Sequence, residues 1–324
     1  MFKTFAKKSL AVLAATGVAF AASMSPAMAQ QYPEKPITMV IPLGAGGSHD
    51  LNARVITSII PTYLEQAMIV RLTPGAGGQK GTQEVANAPA DGYTLLFTHN
   101  YIDMLQQHVE NLPYDPMEDF VTVARVNFAP IAVAVRADSP YQTMDDLIAA
   151  SKADPGGIQM AHSGNWGALF VPAAQMMKAL DMEWNLVPYQ GGGPALQALL
   201  SGDADVTMGF PSSLASHVEA GTVRILATAG SERIYDDIPT FGEVGVEGDV
   251  GFMHRVVLAP ADTPADVLAT LSEAFVALGE DTTFIRMMGR LGENIDIITG
   301  AEYDAMRAEQ SIAYEALVAD LTSQ

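Results

Sequence analysis

Three clusters of glycine and polar residues, each following a short apolar run, have the composition of ligand-binding turns. The first is Gly-Ala-Gly-Gly-Ser-His-Asp at residues 44–50, the second is His-Ser-Gly-Asn-Trp at 162–166, and the third is Tyr-Gln-Gly-Gly-Gly at 189–193. Glycine permits positive φ and lets a ligand approach the backbone closely. A helix that begins at such a turn offers unpaired N–H groups and the positive end of its dipole. The pattern at residues 44–50 therefore predicts anion binding.

Each cluster is predicted to lie between a strand and a helix. Residues 37–41 form an apolar run typical of a strand that is buried on both faces, and apolar residues then recur at helical spacing over 51–60. Strand and helix signals alternate along the rest of the chain, which indicates an α/β fold with mainly parallel sheets. Ligands bind beyond the carboxyl ends of such strands. His99 and Asn100, which follow the predicted strand at 95–97, are therefore candidates for the same site.

Ser48, His49 and Asp50 give the first turn more specific chemistry. Ser48 or Asp50 can cap the helix, and His49 can offer a hydrogen bond, or a charge if it is protonated. A phosphate loop is disfavoured because no lysine follows the glycines. Two alternatives stay open: a tight turn without a ligand, and an exported Ser/His hydrolase using Ser163, although that serine lacks the Gly-x-Ser-x-Gly elbow.

Composition limits the compartment and the partners. Residues 1–29 combine a basic start, an apolar run and Ala-Met-Ala, which predicts a secretory signal cleaved after Ala29 and an exported protein. The net charge of −20 becomes −23 when the three lysines of the signal are removed, which argues against nucleic acid and anionic membranes as partners. The chain has no cysteine, and its six histidines lack His-Glu-x-x-His spacing, so neither a metal nor a cofactor is predicted.

The motifs together resemble the Bug/TctC family, the periplasmic solute-binding receptors of tripartite tricarboxylate transporters. They include Pro-Leu-Gly-Ala-Gly-Gly-Ser-His-Asp, Pro-Gly-Ala-Gly-Gly, Ala-Asp-Gly-Tyr-Thr-Leu and Val-Pro-Tyr-Gln-Gly. No single motif is diagnostic, but their order and spacing over nearly the whole chain are highly specific. The matching segments are residues 32–37, 41–50, 74–78, 90–95, 114–116, 119–120, 155–157, 187–191, 202–205, 239–240, 243–245, 259–260 and 263–264.

The resemblance implies an α/β, two-domain periplasmic binding protein, a type II-like flytrap with the ligand cleft between its domains. Domain 1 is expected to comprise residues 30–128 and 252–324, and domain 2 residues 129–251. The implied function is that of a non-enzymatic extracytoplasmic receptor, which captures a small organic carboxylate, such as a di- or tricarboxylate, and delivers it to a two-subunit membrane permease. A ligand-presenting sensor subunit for a signalling kinase is the remaining alternative.

In the family, the first-domain turn holds one carboxylate through backbone N–H groups, hydroxyls and water, and the other turns face the rest of the ligand. His49 and Trp166 depart from the family pattern, so we expect them to influence which acid is accepted, Trp166 by narrowing the cleft or stacking on the ligand. The predicted ligand-binding residues are Leu43, Gly46, Gly47, Ser48, His49, Asp50, His99, Asn100, Ser163, Gly164, Asn165, Trp166, Tyr189, Gln190, Gly191 and Asp205.

Overall fold

The computed structural model describes residues 32–230, 232–247 and 250–323. The predicted signal segment and its cleavage site at Ala29 lie outside these residues. The first sheet is built from β1 (Ile37–Ile41), β2 (Met68–Leu72), β3 (Thr94–His99), β4 (Phe120–Pro130), β10 (Phe252–Pro260) and β11 (Ile298–Thr299). Its strand order is β11-β4-β10-β3-β1-β2.

The second sheet is built from the middle of the chain. Its strands are β5 (Ala132–Arg136), β6 (Gln159–His162), β7 (Asn185–Pro188), β8 (Val206–Gly209) and β9 (Val223–Thr228). Their order in the sheet is β7-β6-β8-β5-β9. Pairing is parallel among β1, β2 and β3 and among β6, β7 and β8, whereas the strands that cross between the sheets pair antiparallel. Both sheets are therefore mixed, since each contains parallel pairs as well as antiparallel pairs.

Two segments of chain connect the sheets and are hydrogen-bonded to each other. β4 ends at Pro130 and β5 begins at Ala132, so that only Ile131 separates the two strands. The Ile131 N–H donates to Gly251 O at 2.8 Å, and the Ala229 N–H donates to Ile131 O at 2.7 Å. These bonds place the outgoing and returning segments side by side, which is the arrangement about which two halves of a molecule can rotate.

The helices cover the sheets. They are α1 (Ser48–Ile59), α2 (Pro61–Leu64), α3 (Gln79–Ala86), α4 (Met144–Ala153), α5 (Phe170–Leu180), α6 (Gly192–Ser201), α7 (Pro211–Glu219), α8 (Ala265–Glu280), α9 (Thr282–Arg290) and α10 (Gly300–Thr322). Thr143 and Asp146 form a capping box at α4, in which each side chain accepts a backbone N–H of the other residue. Within the described ranges, no helix has both the length and the apolarity to cross a bilayer.

The helical spacing over 51–60 is confirmed by α1, which ends at Ile59 with Ile60 as its C-cap. Pro61 occupies the first position of α2, where the missing N–H of proline costs no hydrogen bond. The burial predicted for the apolar run at residues 37–41 is confirmed for four of its five residues. Ile37 in β1 and Leu271 and Phe275 in α8 are fully buried, and burial of a side chain of this size contributes about 1.5–3 kcal/mol to stability.

Candidate functional site

The first and third glycine turns touch each other. The Gly44 N–H donates to Gln190 O at 2.8 Å. A Cβ added to Gly193 would lie 2.1 Å from Ala45 O and 2.7 Å from Gly47 N, closer than such atoms approach in proteins. Glycine at 193 is thus required because backbone meets backbone here. The contact brings a turn that follows a strand of the first sheet against a turn that follows a strand of the second.

A second contact joins the remaining turns. The glycine-rich turn at 73–78 lies against the turn that follows β6, where a Cβ on Gly164 would be 3.3 Å from Gly77 Cα. Gly164 has φ +117°, a conformation that other residues rarely adopt. The Gln106 Nε2 donates to Gly77 O at 2.8 Å and holds the first-sheet side of this contact. The sheets therefore meet at two pairs of turns.

A cavity of about 20 Å³ lies beneath the touching turns. This volume accommodates roughly one water molecule, so the turns must separate before a molecule with several carbon atoms can enter. Its polar lining consists of Ser48, His49, His99, Ser163 and Ser213. Its apolar lining includes Leu43, Leu169, Leu196, Phe210, Leu214 and Met253. Among the described residues that line the cavity there is no lysine, arginine or carboxylate.

Three helix N-termini converge on the cavity. Gly47 and Ser48 belong to the start of α1, Gly192 to the start of α6, and Ser213 to the first turn of α7. In α1 the first intrahelical bond runs from the Leu51 N–H to Gly47 O, so the N–H groups of residues 48–50 precede the helical ladder. Partial positive charge from three helices is therefore concentrated where none of the described lining residues is cationic.

His49 lines the cavity as a neutral imidazole. Its Nε2 lies 3.2 Å from Thr98 O, and because a carbonyl oxygen can only accept, Nε2 carries the proton. The ring packs between Phe97 and His99, with centroid distances of 5.3 and 5.1 Å. Burial lowers the pKa of His49 well below its usual value, and His99 and Arg255 lower it further. The predicted alternative of a charged His49 is therefore disfavoured near neutral pH.

His99 is also buried and neutral. Burial, followed by the positive charge of Arg255, lowers its pKa to about 3. Its Nδ1 is buried without a hydrogen-bond partner among the described residues. The cavity thus contains two uncharged imidazoles.

A buried polar network lies behind these histidines. Arg255 and Glu293 are both fully buried, and their side chains form a bidentate ion pair at 2.6 and 3.0 Å. Asn52 and Asn127 each donate to the Glu293 carboxylate, at 3.3 and 3.2 Å. The Asn52 Nδ2 also lies 3.4 Å from Ser212 Oγ at the start of α7, so the network spans both sheets. Because Glu293 already balances Arg255, the arginine is not an unpaired partner for a ligand.

Six of the predicted residues line the cavity, and others form the contacts above it. The lining residues are Leu43, Gly47, Ser48, His49, His99 and Ser163. Gln190 and Gly191 meet Gly44 at the touching turns. Gly46 and Asn165 are exposed, and the ring of Trp166 packs against Phe170, with the centroids 5.3 Å apart and the planes tilted by 55°, outside the lining residues. Tyr189 is half-buried, and its N–H donates to His162 O at 2.8 Å.

Three predicted roles require correction. Neither Ser48 nor Asp50 caps α1, because Gly47 is the N-cap and Asp50 instead accepts the Gly46 N–H at 2.9 Å and pairs with Arg54. Asp205 lies at the start of β8, where its carboxylate accepts the Gln159 N–H at 2.9 Å. That edge is opposite the carboxyl ends of the parallel strands, so Asp205 is separated from the cavity.

Asn100 is the third correction, because its polar groups are used within the core. Its Nδ2 donates to Phe252 O at 3.3 Å and to the Tyr314 hydroxyl, and its Oδ1 accepts the His254 N–H at 3.0 Å. A buried amide needs such partners to offset the loss of water. Asn100 therefore ties β10 to α10 rather than facing the cavity.

The predicted ligand-binding set omits several lining residues, and Phe210, Ser213, Leu214 and Met253 are among them. Phe210 follows β8, and Ser213 and Leu214 lie in the first turn of α7, so the rule that ligands bind beyond strand ends identifies this segment. Met253 carries no such signal. It lies in β10 and reaches the cavity only because the returning strand pairs between β3 and β4.

The buried histidines predict a loss of stability on mild acidification. His99 and His254 have pKa values lowered to about 3 and about 4, each chiefly by burial. Between pH 6.5 and 5 the unfolded chain binds protons that the folded chain does not, so the free energy of unfolding falls as pH falls, by about 1 kcal/mol per pH unit for each imidazole. Urea unfolding at several pH values measures this slope.

His254→Phe is the matched variant for that measurement. Its slope between pH 6.5 and 5 should be smaller by about 1 kcal/mol per pH unit, since one titration is lost. Equal slopes for the two proteins would show that His254 is not held neutral by the fold.

The family model described as 'Tripartite tricarboxylate transporter family receptor' matches residues 52–321 of this chain. The chain belongs to this receptor family. BugT of Bordetella pertussis is 31% identical over 261 residues, which cover 79% of each protein. The structure of the periplasmic binding protein BugD is 27% identical, with a TM-score of 0.86 over 90% of this chain and 98% of that one. MatC of Rhodopseudomonas palustris, solved with bound malate, is 26% identical, with a TM-score of 0.82 over 89% and 100%.

Membership of the receptor family confirms the predicted family and the predicted fold class, an α/β periplasmic binding protein. The family and its solved members are solute-binding proteins, which are generally not enzymes. The chain is thus a periplasmic solute-binding receptor, and the cavity between its sheets is the candidate solute site.

Proposed function

We propose that this receptor captures a small organic carboxylate, a di- or tricarboxylate or a related acid, in the cavity between its two sheets. The observation that carries the proposal is the convergence of the α1, α6 and α7 N-termini on a cavity whose described lining residues include no cationic side chain. Hydrogen bonds to charged groups contribute about 1.5–3 kcal/mol each, so a few supply the roughly −8 kcal/mol of micromolar binding. Local donors thereby overcome the repulsion expected from a net charge of −20.

The ligand enters by rotation about the two crossing segments. We assign residues 30–128 and 252–324 to one domain and 129–251 to the other, with the hinge at Ile131 and Gly251. Support comes from the small cavity and from the hydrogen bonds that join the crossing segments. Separation of the touching turns opens the cavity, and a bound acid that bridges them favours the closed arrangement.

The receptor then delivers the acid to a membrane permease of two unlike subunits, after export and cleavage behind Ala29. Family membership supports this partner. A sensor subunit would use the same cavity and differ only in the protein that it contacts. Binding rather than hydrolysis is favoured at Ser163, because its Oγ accepts the Leu169 N–H at 3.4 Å and forms no hydrogen bond with a histidine among the described residues.

A thermal-shift screen of the mature protein tests the proposal. Organic acids at concentrations well above their Kd should raise the melting temperature, because a ligand that binds only the folded state adds RT ln(1 + [L]/Kd) to stability. Isothermal titration calorimetry then gives the affinity of each active acid. A shift with sugars or metal ions, and none with any carboxylate, would contradict the proposal.

A further inference from the structure

We propose that the preferred ligand carries a hydroxyl group close to its carboxylate, so that the site selects a hydroxy acid over the same acid without the hydroxyl. This inference rests on the proposed function, which supplies the carboxylate. It adds a second requirement, which comes from the cavity wall formed by His49 rather than from the helix N-termini.

The tautomer of His49 determines whether this wall of the cavity donates or accepts a hydrogen bond. Since Nε2–H is directed at Thr98 O, the Nδ1 atom carries a lone pair and can only accept a hydrogen bond. Nδ1 has no hydrogen-bond partner among the described residues, and the residue lines the cavity. His49 is therefore an acceptor presented to whatever occupies the site.

The ring cannot easily turn to offer a donor instead. His49 is in the first turn of α1, and its ring packs between Phe97 and His99 at 5.3 and 5.1 Å. Rotation that exchanged the two nitrogens would leave Thr98 O, a buried acceptor, facing a lone pair. An unsatisfied buried polar group costs about 1–3 kcal/mol, so the observed orientation is favoured.

An ionised carboxylate alone does not satisfy this acceptor, because two lone pairs would face each other. The ligand must supply a donor, which restricts the choice to a hydroxyl, an ammonium or a protonated carboxyl group. An ammonium would be buried without a negative partner, since none of the described lining residues is a carboxylate. A carboxyl group is ionised at pH 7 unless its pKa is raised by about three units or more. A hydroxyl donates without carrying charge.

Matched pairs of acids test the inference on the mature receptor by calorimetry. The pairs are malate and succinate, lactate and propionate, and citrate and propane-1,2,3-tricarboxylate. For the pair whose size the cavity accepts, the hydroxylated acid should bind about 10- to 100-fold more tightly, because its analogue leaves His49 Nδ1 unsatisfied. Equal affinities within a binding pair would overturn the inference and leave the proposed function standing, whereas no binding of any acid would contradict the proposed function itself.

The His49→Phe variant tests whether His49 recognises the ligand hydroxyl through a hydrogen bond. Phenylalanine keeps a ring against the same neighbours but removes the acceptor, so the preference within the pair should fall below about 3-fold. His217→Phe, at a half-buried histidine outside the cavity lining, is the matched control and should keep the preference. A preference that persists in a folded His49→Phe protein would overturn the assignment. If that variant does not fold, the wild-type pairs decide alone.

Discussion

Gly193→Ala is expected to weaken ligand binding by on the order of 100-fold, or about 2.7 kcal/mol. The added Cβ would lie 2.1 Å from Ala45 O and 2.7 Å from Gly47 N. Because both neighbours are backbone atoms, neither can move aside by changing a side-chain rotamer, and the two turns must stay apart. The acid then loses the hydrogen bonds from one of the two turns. Calorimetric titration with an acid identified in the thermal-shift screen measures the change in Kd.

The fold itself should tolerate this substitution. Gly193 lies in the first turn of α6 with φ outside the left-handed region, and alanine is favoured over glycine in helices by about 0.5–1 kcal/mol. Gly289→Ala in α9 is the matched control, because a Cβ there meets no atom within 4 Å; its Kd should be unchanged. An unaltered Kd in Gly193→Ala would show that binding does not require the turns to touch.

Glu293→Gln is expected to destabilise the receptor by about 3–5 kcal/mol, the usual result of removing one partner of a buried ion pair. Arg255 would keep its full charge inside the protein with no compensating carboxylate. Glutamine also has only one acceptor oxygen, whereas the carboxylate accepts bonds from Arg255, Asn52 and Asn127 through two. Urea unfolding at pH 7 measures the loss in the free energy of unfolding.

Glu84→Gln provides the control for Glu293→Gln. It makes the same chemical change in the ion pair between Glu84 and Arg71, whose side chains are 37% and 49% exposed. Exposed pairs contribute at most about 1 kcal/mol, because water solvates both charges after the pair is broken. Similar losses for the two variants would show that the Arg255–Glu293 pair adds no more than a surface pair.

Local features of the fold were predictable because they depend on neighbouring residues. The β1 strand at Ile37–Ile41 follows from consecutive apolar side chains, and the capping box of α4 from Thr143 and Asp146 three residues apart. The start of α1 follows from the glycines that precede it. Each of these signals lies within one turn or one strand, so no knowledge of packing was needed to interpret it.

The cavity lining was only partly predictable, for a reason that Asp205 and Phe210 illustrate. The two residues lie at opposite ends of β8, and only the carboxyl end faces the cavity. The polar residue attracted the prediction, while the aromatic residue lines the cavity. The prediction from residue type was thus wrong, because the direction of the strand determines which of its ends faces the cavity. Asn100 misled for a related reason, because a polar side chain can serve the core as well as a ligand.

The sequence by itself determined the strand–turn–helix units, the glycine-rich turns and the receptor family, since these reside in short patterns and their order. Only the tertiary structure decided that Gly193 meets Ala45, that Arg255 pairs with Glu293, and that Thr98 sets the tautomer of His49. These contacts join residues between 38 and 148 positions apart. Contacts between residues that are distant in the sequence, and the burial of those residues, arise from packing. Packing therefore sets the charge and the hydrogen-bonding capacity of the groups that line the cavity.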